Sequence, residues 1–561
     1  MSAHLPVPTR LTSLRPVALL VALVTTLALA PPASAATSGF IESGTDNPVS
    51  AAPAVTRPDT AHCTVTLAQD FPSNAANGAP QSYSGTLTPP AACPGPWAKV
   101  VLDSTTTVNG RQYDRSGSLQ VGGDTIWFGT TQEPAGAAPT TFSFAKDVTR
   151  YSALFRTPQP YSGGYGNYTS PVYTGVYSQT VTLTSYRADA THPAPALPDV
   201  VRGVPIADLN PGTPSRTVTL SNLPRNITRA DLEVTLKGNG CDEQWFTAVP
   251  DQVAAAFPGA GLCAAGPFRE ASFALDGTPA GAVNTYPHIY SGGIVPTLWR
   301  PVLAIDTLDL RPENLDLTPF AGRLVDGKDH QLTTTITPVN DAWNVTATLF
   351  LYTDHHRART SGALTQDTAA PAATTHTTAS AVTGGQSYDV TGSRADTVAG
   401  YVDTSAGRIV TRDTYHRAYH QTGQVTDNGL VQSIDQSDRV VQTSVSTRGA
   451  TVVRSASLAE SYPISVDFSA ALYTDDQNFS LDGTVDMGQD VASAVRDGAT
   501  RTVRGWTWDV DSYGILARSA GVTSESDGHS STSYTGTDDL GRPYHRAITT
   551  DHGRIVTDTG A

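Results

Sequence analysis

Long apolar runs are scarce in this 561-residue chain. The longest, Val17 to Ala30, falls short of the roughly 20 residues a spanning helix needs, so no membrane anchor is expected. Arg10 and Arg15 precede that run and Ala33-Ser34-Ala35 follows it, which is the layout of a secretory signal peptide over residues 1–35 and predicts a secreted, extracellular protein. Cysteine is rare: four residues in the whole chain exclude a disulfide-dense scaffold, although secretion favours pairing. Three connectivities are possible, and the two local bridges, Cys63 with Cys93 and Cys241 with Cys263, are favoured because each closes a loop inside one unit. Basic residues are in deficit, 36 Lys and Arg against 51 Asp and Glu for a net charge of −15. That leaves no stripe for a phosphate backbone and excludes nucleic acid as a partner. Ligand-spaced thiolates and histidines are missing as well. The nearest approach, Asp354-His355-His356, reads as the surface end of a strand, so no metal or cofactor is expected.

What is present is β-sheet patterning. Ser178 to Tyr186, Ser215 to Leu223 and Asn344 to Tyr352 alternate β-branched or aromatic residues with small polar ones, and Gly, Pro, Asn or Asp punctuates the chain every ten or so residues. Only Asp251 to Phe257 reads as helical. Some 525 mature residues are too many for one core, and Pro/Ala-rich stretches mark the divisions. The predicted organisation is all-β. A disordered segment over 36–59 is followed by a first jelly-roll or sandwich domain over 60–189, a linker over 190–205 and a second jelly-roll domain over 206–363 lying beside the first. A linker over 364–385 then leads to a third β-rich domain over 386–561. The third unit repeats Gly-Arg-Ile-Val-Thr and Tyr-His-Arg-Ala, as a meander would. It is expected to support or bind without carrying chemistry, so that a chain ending near Ser361 keeps some activity if it folds.

Chemistry gathers between Lys237 and Pro301. The blocks "GNGCDEQWF", "GPFREASFALDG", "YPHIYSGG" and "TLWRP" crowd Glu, Arg, His, Trp and Tyr together in a chain with 7% aromatics. Sugar faces stack on aromatic rings while their hydroxyls need charged hydrogen-bond partners, so Arg115, Asp242, Trp245, Arg269, Glu270, Tyr286, His288, Trp299 and Arg300 are candidate substrate-binding residues. The competing reading is a packed sandwich core with buried Trp.

Six ordered blocks carry a resemblance: "QYDRSGSLQVGG", "FAKDVTRYSALF", "VYTGVYSQTVTLTSY", "GNGCDEQWF", "PFREASFALDG" and the long run from Ser291 to His330. Together they resemble the peptide-N-glycosidase A family, peptide-N4-(N-acetyl-β-glucosaminyl)asparagine amidases, over about Thr60 to Arg357. A more distant likeness, to the peptide-N-glycosidase F enzymes, lies in Tyr113-Asp114-Arg115 and in Gly238, Gly240, Cys241 and Glu243. That likeness implies two jelly rolls with the active site between them.

The resemblance implies that Asp114 is the principal catalytic aspartate and Glu243 a second essential carboxylate. A third acid has no counterpart in "SPVYTGVY"; Glu270 or Asp242 would have to supply it unless it is not needed. The implied reaction is water attack on the Asn side-chain carbonyl with departure of a glycosylamine. Asp114 would be the base, Glu243 would protonate or position, and Arg115, Arg269 or Arg300 would face the oxyanion or sugar hydroxyls, or else form ion pairs that fix the domains. Gly238 and Gly240 would permit a tight turn pinned by Cys241, with Trp245 and Phe246 either walling the cleft or anchoring the loop in the core. The expected partner is an N-glycoprotein or glycopeptide, and the protein is expected to act as a monomer. A glycan-binding sandwich without turnover, or an endo-β-N-acetylglucosaminidase, would share these features.

Overall fold

The computed structural model describes residues 40–42, 44–74, 82–136, 138–475 and 477–560; the expected signal peptide over 1–35 lies outside the described residues. The fold is all-β, built from five antiparallel sheets. Two four-stranded sheets form between His62 and Arg187. One runs in the order His62–Ser73, Val176–Arg187, Trp97–Asn109, Thr140–Asp147, and the other Tyr83–Leu87, Gln159–Tyr165, Ser116–Val121, Asp124–Thr130. Alternation in Val176–Arg187 turns Tyr177, Val181 and Leu183 inward, and Trp127, Leu119, Tyr165 and Phe142 meet them from the surrounding strands. Two further four-stranded sheets lie between Val200 and Thr353. One of them is built around Ile227–Asn239, paired along its length with Ala342–Thr353. Leu303, Leu308 and Phe350 of this second pair complete the core of the first pair, so the two sandwiches share a packed boundary.

The fifth sheet has eleven strands, from Ser361–Asp367 to Arg554–Gly560, laid down as a meander in which most neighbours are consecutive. The repeated Gly-Arg-Ile-Val-Thr marks two hairpin reversals, where Thr404 pairs with Gly407 and Asp551 with Arg554. Strands such as Gly407–Thr426 bury every second residue against the second sandwich and leave the intervening ones to solvent. One cluster therefore joins Trp245, Phe268 and Tyr286 to Tyr388, Tyr419 and Tyr462.

Three parts of the expected organisation differ. The segment expected to be disordered is packed from residue 40 onward: Ala51 is fully buried, Val49 bridges to Val302, and Ile41 bridges to Ser526 of the large sheet. Val200–Val204, placed in the first linker, is an edge strand on Ala342–Thr353. Ser361–Asp367 and Thr374–Val382, placed largely in the second linker, both pair with Gly385–Thr404. Pro and Ala lower the apparent strand signal of these segments, and pairing partners, distant for the first two and adjacent for Thr374–Val382, supply the hydrogen bonds.

Candidate active site

The stretch "KGNGCDEQWF" ends the strand Ile227–Asn239 and folds at once into two short 3-10 turns. Gly240 has φ +55°, and a Cβ there would lie 1.9 Å from Asp341 Oδ2. A Cβ on Gly238 would lie 1.8 Å from the Asp242 carbonyl oxygen. Only glycine fits either place. Cys241 is bonded to Cys263, and Cys63 to Cys93. Below the turn Trp245 and Phe246 are buried, which anchors the loop and leaves neither ring available to a sugar. Glu243 remains partly accessible at the top.

Asp114 arrives from the other sandwich. The strands Ser116–Val121 and Asp124–Thr130 form a hairpin through Gly122-Gly123, both at positive φ, with Ser116 opposite Thr130. Just beyond this pairing Arg115 and Thr131 continue the ladder, and the Tyr177 hydroxyl lies 2.7 Å from the Tyr113 carbonyl oxygen and 2.8 Å from that of Gln132. Asp114 and Glu133 therefore stand together at the open end of the hairpin.

The third component is the loop through Tyr290-Ser291-Gly292-Gly293. The Gly292 N–H donates to Asp114 Oδ2 at 2.7 Å, the Ser291 hydroxyl donates to the Thr131 carbonyl at 3.0 Å, and the Glu133 N–H donates to Ser291 Oγ. A Cβ on Gly292 would sit 2.1 Å from Glu133 Oε2 and 3.0 Å from Asp114 Oδ2. This glycine is the wedge between the two carboxylates. From beneath, Trp299 Nε1 donates to the Gly293 carbonyl (2.9 Å) and Gln132 Nε2 to the Trp299 carbonyl (3.0 Å).

Three carboxylates and one ammonium thus interact. Burial raises the Asp114 carboxyl above the usual range, opposed by the Gly292 N–H and by Lys237 and Arg115. Glu133 is pushed up to about 7 by burial and then by the Asp114 charge. Glu243 is likewise pushed up to about 7 by burial and by Asp114, with Lys237 pulling the other way. Burial depresses Lys237, offset by Glu243 and Asp114; its Nζ lies 5.1 Å from the centre of the buried Tyr290 ring. The Gly292 N–H, Lys237 and Arg115 all favour the ionised form of Asp114 against its burial, while both glutamates, near 7, keep protons in mildly acidic water. Tyr113 and Tyr173 stack at 4.0 Å between ring centres beside Asp114, and Arg115 lies over the rings of Tyr113 and Tyr168. These tyrosines form an aromatic ledge at the mouth.

Most of the candidate sugar contacts are elsewhere. Asp242 and Arg269 form a fully buried ion pair at 2.9 Å, and Asp242 also accepts the Asn340 and Asp341 N–H groups. Glu270 is buried against Arg394 of the large sheet, so Asp242 and Glu270 are both tied up in ion pairs; the acid beside Asp114 is Glu133. Tyr286 packs edge-on against Tyr462, His288 accepts the Arg311 N–H and is driven down to about 3 by burial, and Trp299 is fully buried under the loop. These residues were singled out by chemical type, but the large sheet covers the face on which they lie. Arg300 does adjoin the site, reaching Glu133 at 3.7 Å and Glu42 at 3.4 Å. Reading residue by residue missed Glu133, Lys237, Tyr290 and Gly292. Glu133 had a usable signal: a Gly-Gly hairpin with Asp114 at one mouth places its partner strand's end, and hence Glu133, beside it. Asp354 accepts from Ser405, and His355 pairs with Asp199 at 2.7 Å. Among the described residues the ligand atoms of Asp527, His529 and His552 come within 4.8 Å of one another, with His529 Nε2 3.2 Å and His552 Nδ1 2.8 Å from Asp527.

Fold and site define an all-β protein in which carboxylates from two abutting sandwiches cluster with a lysine. Comparison with known families makes this specific: the chain belongs to the peptide N-acetyl-β-D-glucosaminyl asparaginase amidase A family, whose model matches residues 48–370. It is 30% identical over 370 residues to peptide-N4-(N-acetyl-β-glucosaminyl)asparagine amidase A of Prunus dulcis, a match covering 62% of this chain and 64% of the relative. The chain therefore spans just under two thirds of that relative's length. Among solved structures it is similar to PNGase F, a glycosylasparaginase from Flavobacterium meningosepticum, at 13% identity and a TM-score of 0.34 over 52% of this chain and 96% of that one. Its likeness to PNGF-II has 13% identity and a TM-score of 0.37 over 52% and 66% of the two chains. No described helix is long and apolar enough to cross a membrane.

Proposed function

We propose that the chain is a secreted amidase that hydrolyses the bond between an Asn side chain and the first N-acetylglucosamine of an N-glycopeptide. The observation that carries this reading is the meeting of Asp114 and Glu133 from one sandwich with Glu243 and Lys237 from the other, around a loop glycine bonded to Asp114. In its ionised form, favoured by the Gly292 N–H and Lys237, Asp114 takes the proton of a water that adds to the Asn carbonyl. Lys237 faces the developing oxyanion. Glu243, which keeps its proton to about pH 7, delivers it to the departing nitrogen. Glu133 hydrogen-bonds the water and shares the charge of the Asp114 pair. The products are Asp in the peptide and a 1-amino sugar that hydrolyses in water. The Tyr113–Tyr173 ledge offers a stacking face for the first sugar.

A glycopeptide incubated in 18O-water, with both products weighed, tests the reading. The expected result is one heavy oxygen in a new Asp and a glycan that retains its complete core. A peptide left carrying one N-acetylglucosamine would instead identify an endoglycosidase, and tight glycan binding without products would identify a lectin.

A further inference from the structure

Glu133 also lines a cavity of about 310 Å³. All parts of the chain contribute to it: Glu42 from the N-terminal segment, Arg111 and Glu133 from the first sandwich, Arg300 from the second, and Arg518 and Thr523 from the large sheet. Arg300 serves both acids, lying 3.4 Å from Glu42 Oε1 and 3.7 Å from Glu133 Oε1, and its Nε donates to the Glu133 carbonyl. Arg111 has no carboxylate within ion-pair distance among the described residues. Its pKa is lowered by burial and by the like charges of Arg518 and Arg300, with Glu133 a lesser counterweight. Gly136, at φ +85°, fixes the Arg111 backbone, since a Cβ there would come within 2.7 Å of the Arg111 nitrogen. A half-buried guanidinium crowded by two others is costly unless an anion joins it, and its planar fork matches a carboxylate.

We propose that this cavity is a subsite for a carboxylate on the peptide part of the substrate, held by Arg111. The proposal rests on the amidase reading. Glu133 belongs both to the cavity and to the catalytic group, so whatever occupies the cavity lies close to the cleaved bond. The sugar at that bond is neutral, which leaves the peptide as the source of the charge. The large sheet would thereby complete the substrate site through Arg518 and Thr523, in addition to supporting the fold.

Synthetic glycopeptides with one common glycan test this: Asp against Asn beside the glycosylated residue, a free against an amidated C-terminus, and a neutral peptide bearing an acidic-sugar glycan. The expected result is kcat/KM higher by about tenfold for the peptide carboxylates, mainly through KM, shrinking as salt is raised. Arg111→Gln should bring the ratio between charged and uncharged peptides close to one, and Arg111→Lys should restore part of it. Equal kcat/KM across the peptides in the wild-type protein, or a preference that follows only the acidic sugar, would overturn the subsite. If no glycopeptide is cleaved, the amidase reading fails, and calorimetric binding of the same peptides to the wild-type protein still decides whether the cavity prefers a carboxylate.

Discussion

Asp114, Glu133 and Glu243 are three acids of one chemical kind whose surroundings divide their labour. Asp114 receives the Gly292 N–H, and Asp114→Asn keeps that shape while removing the base. Turnover should fall at least about 10²-fold, equivalent to about 2.7 kcal/mol of transition-state stabilisation, with an unchanged circular-dichroism spectrum. In the wild-type protein kcat/KM should decline as pH rises through about 7, because the proton donor is lost there. Glu133→Gln should slow the reaction but retain that decline, since Glu243 still titrates. A flat profile in Glu133→Gln would make Glu133 the acid. Gly292→Ala places a methyl group 2.1 Å from Glu133 Oε2, and activity should drop by at least about tenfold as the two carboxylates are forced apart.

At the scale of the element, the loop through Tyr290-Ser291-Gly292-Gly293 and the turn after Ile227–Asn239 are held by different means. The turn is tied covalently by Cys241–Cys263, which encloses 22 residues of separation. Replacing both cysteines by Ser should lower unfolding free energy by about 3 kcal/mol, read by urea titration, with a loss of kcat because Glu243 is carried on the turn. The loop has no such tie and is clamped between surfaces. Thr297 and Leu298 press on Gly514 and Gly528 of the large sheet so closely that a Cβ at Gly528 would lie 2.2 Å from the Thr297 carbonyl oxygen. The glycines of the large sheet thus help hold the segment that follows this loop.

For the whole molecule this clamping replaces the expectation that a chain ending near Ser361 keeps activity. Such a truncation strips Tyr388, Tyr419 and Tyr462 from a core shared with Trp245, Phe268 and Tyr286, and leaves Glu270 without Arg394. The truncated chain should fail to give a protease-resistant core in limited proteolysis. The acids also set a pH dependence of stability. Glu133 and Glu243 have folded values near 7 against about 4.5 when unfolded, so between those limits the folded state binds more protons. Stability should be greatest below about pH 4.5 as far as these two groups are concerned, and should be lost as pH rises toward 7. Comparing Tm at pH 5 and pH 7 in wild type and Glu243→Gln, the variant should show the smaller drop.

The sequence by itself determined the all-β class, because period-two alternation and regular turns are local properties. It also carried the family blocks and the two candidate acids, because Asp114 and Glu243 each lie in a short patterned stretch. The cysteine pairing followed from loop closure over short separations, and the structure has the same two bridges. Tertiary structure alone decided which of the crowded charged and aromatic residues face substrate. Asp242, Arg269 and Glu270 look like site residues by type, yet a sheet assembled more than a hundred residues later covers Glu270 with Arg394, and a buried charge must be paired where it is buried. Glu133 sits in an irregular stretch after Asp124–Thr130, and comes against Asp114 only because of a hairpin register and a loop from the other sandwich. Local patterns report which face of a strand is apolar. They do not report what will cover that face, since the covering surface comes from distant parts of the chain.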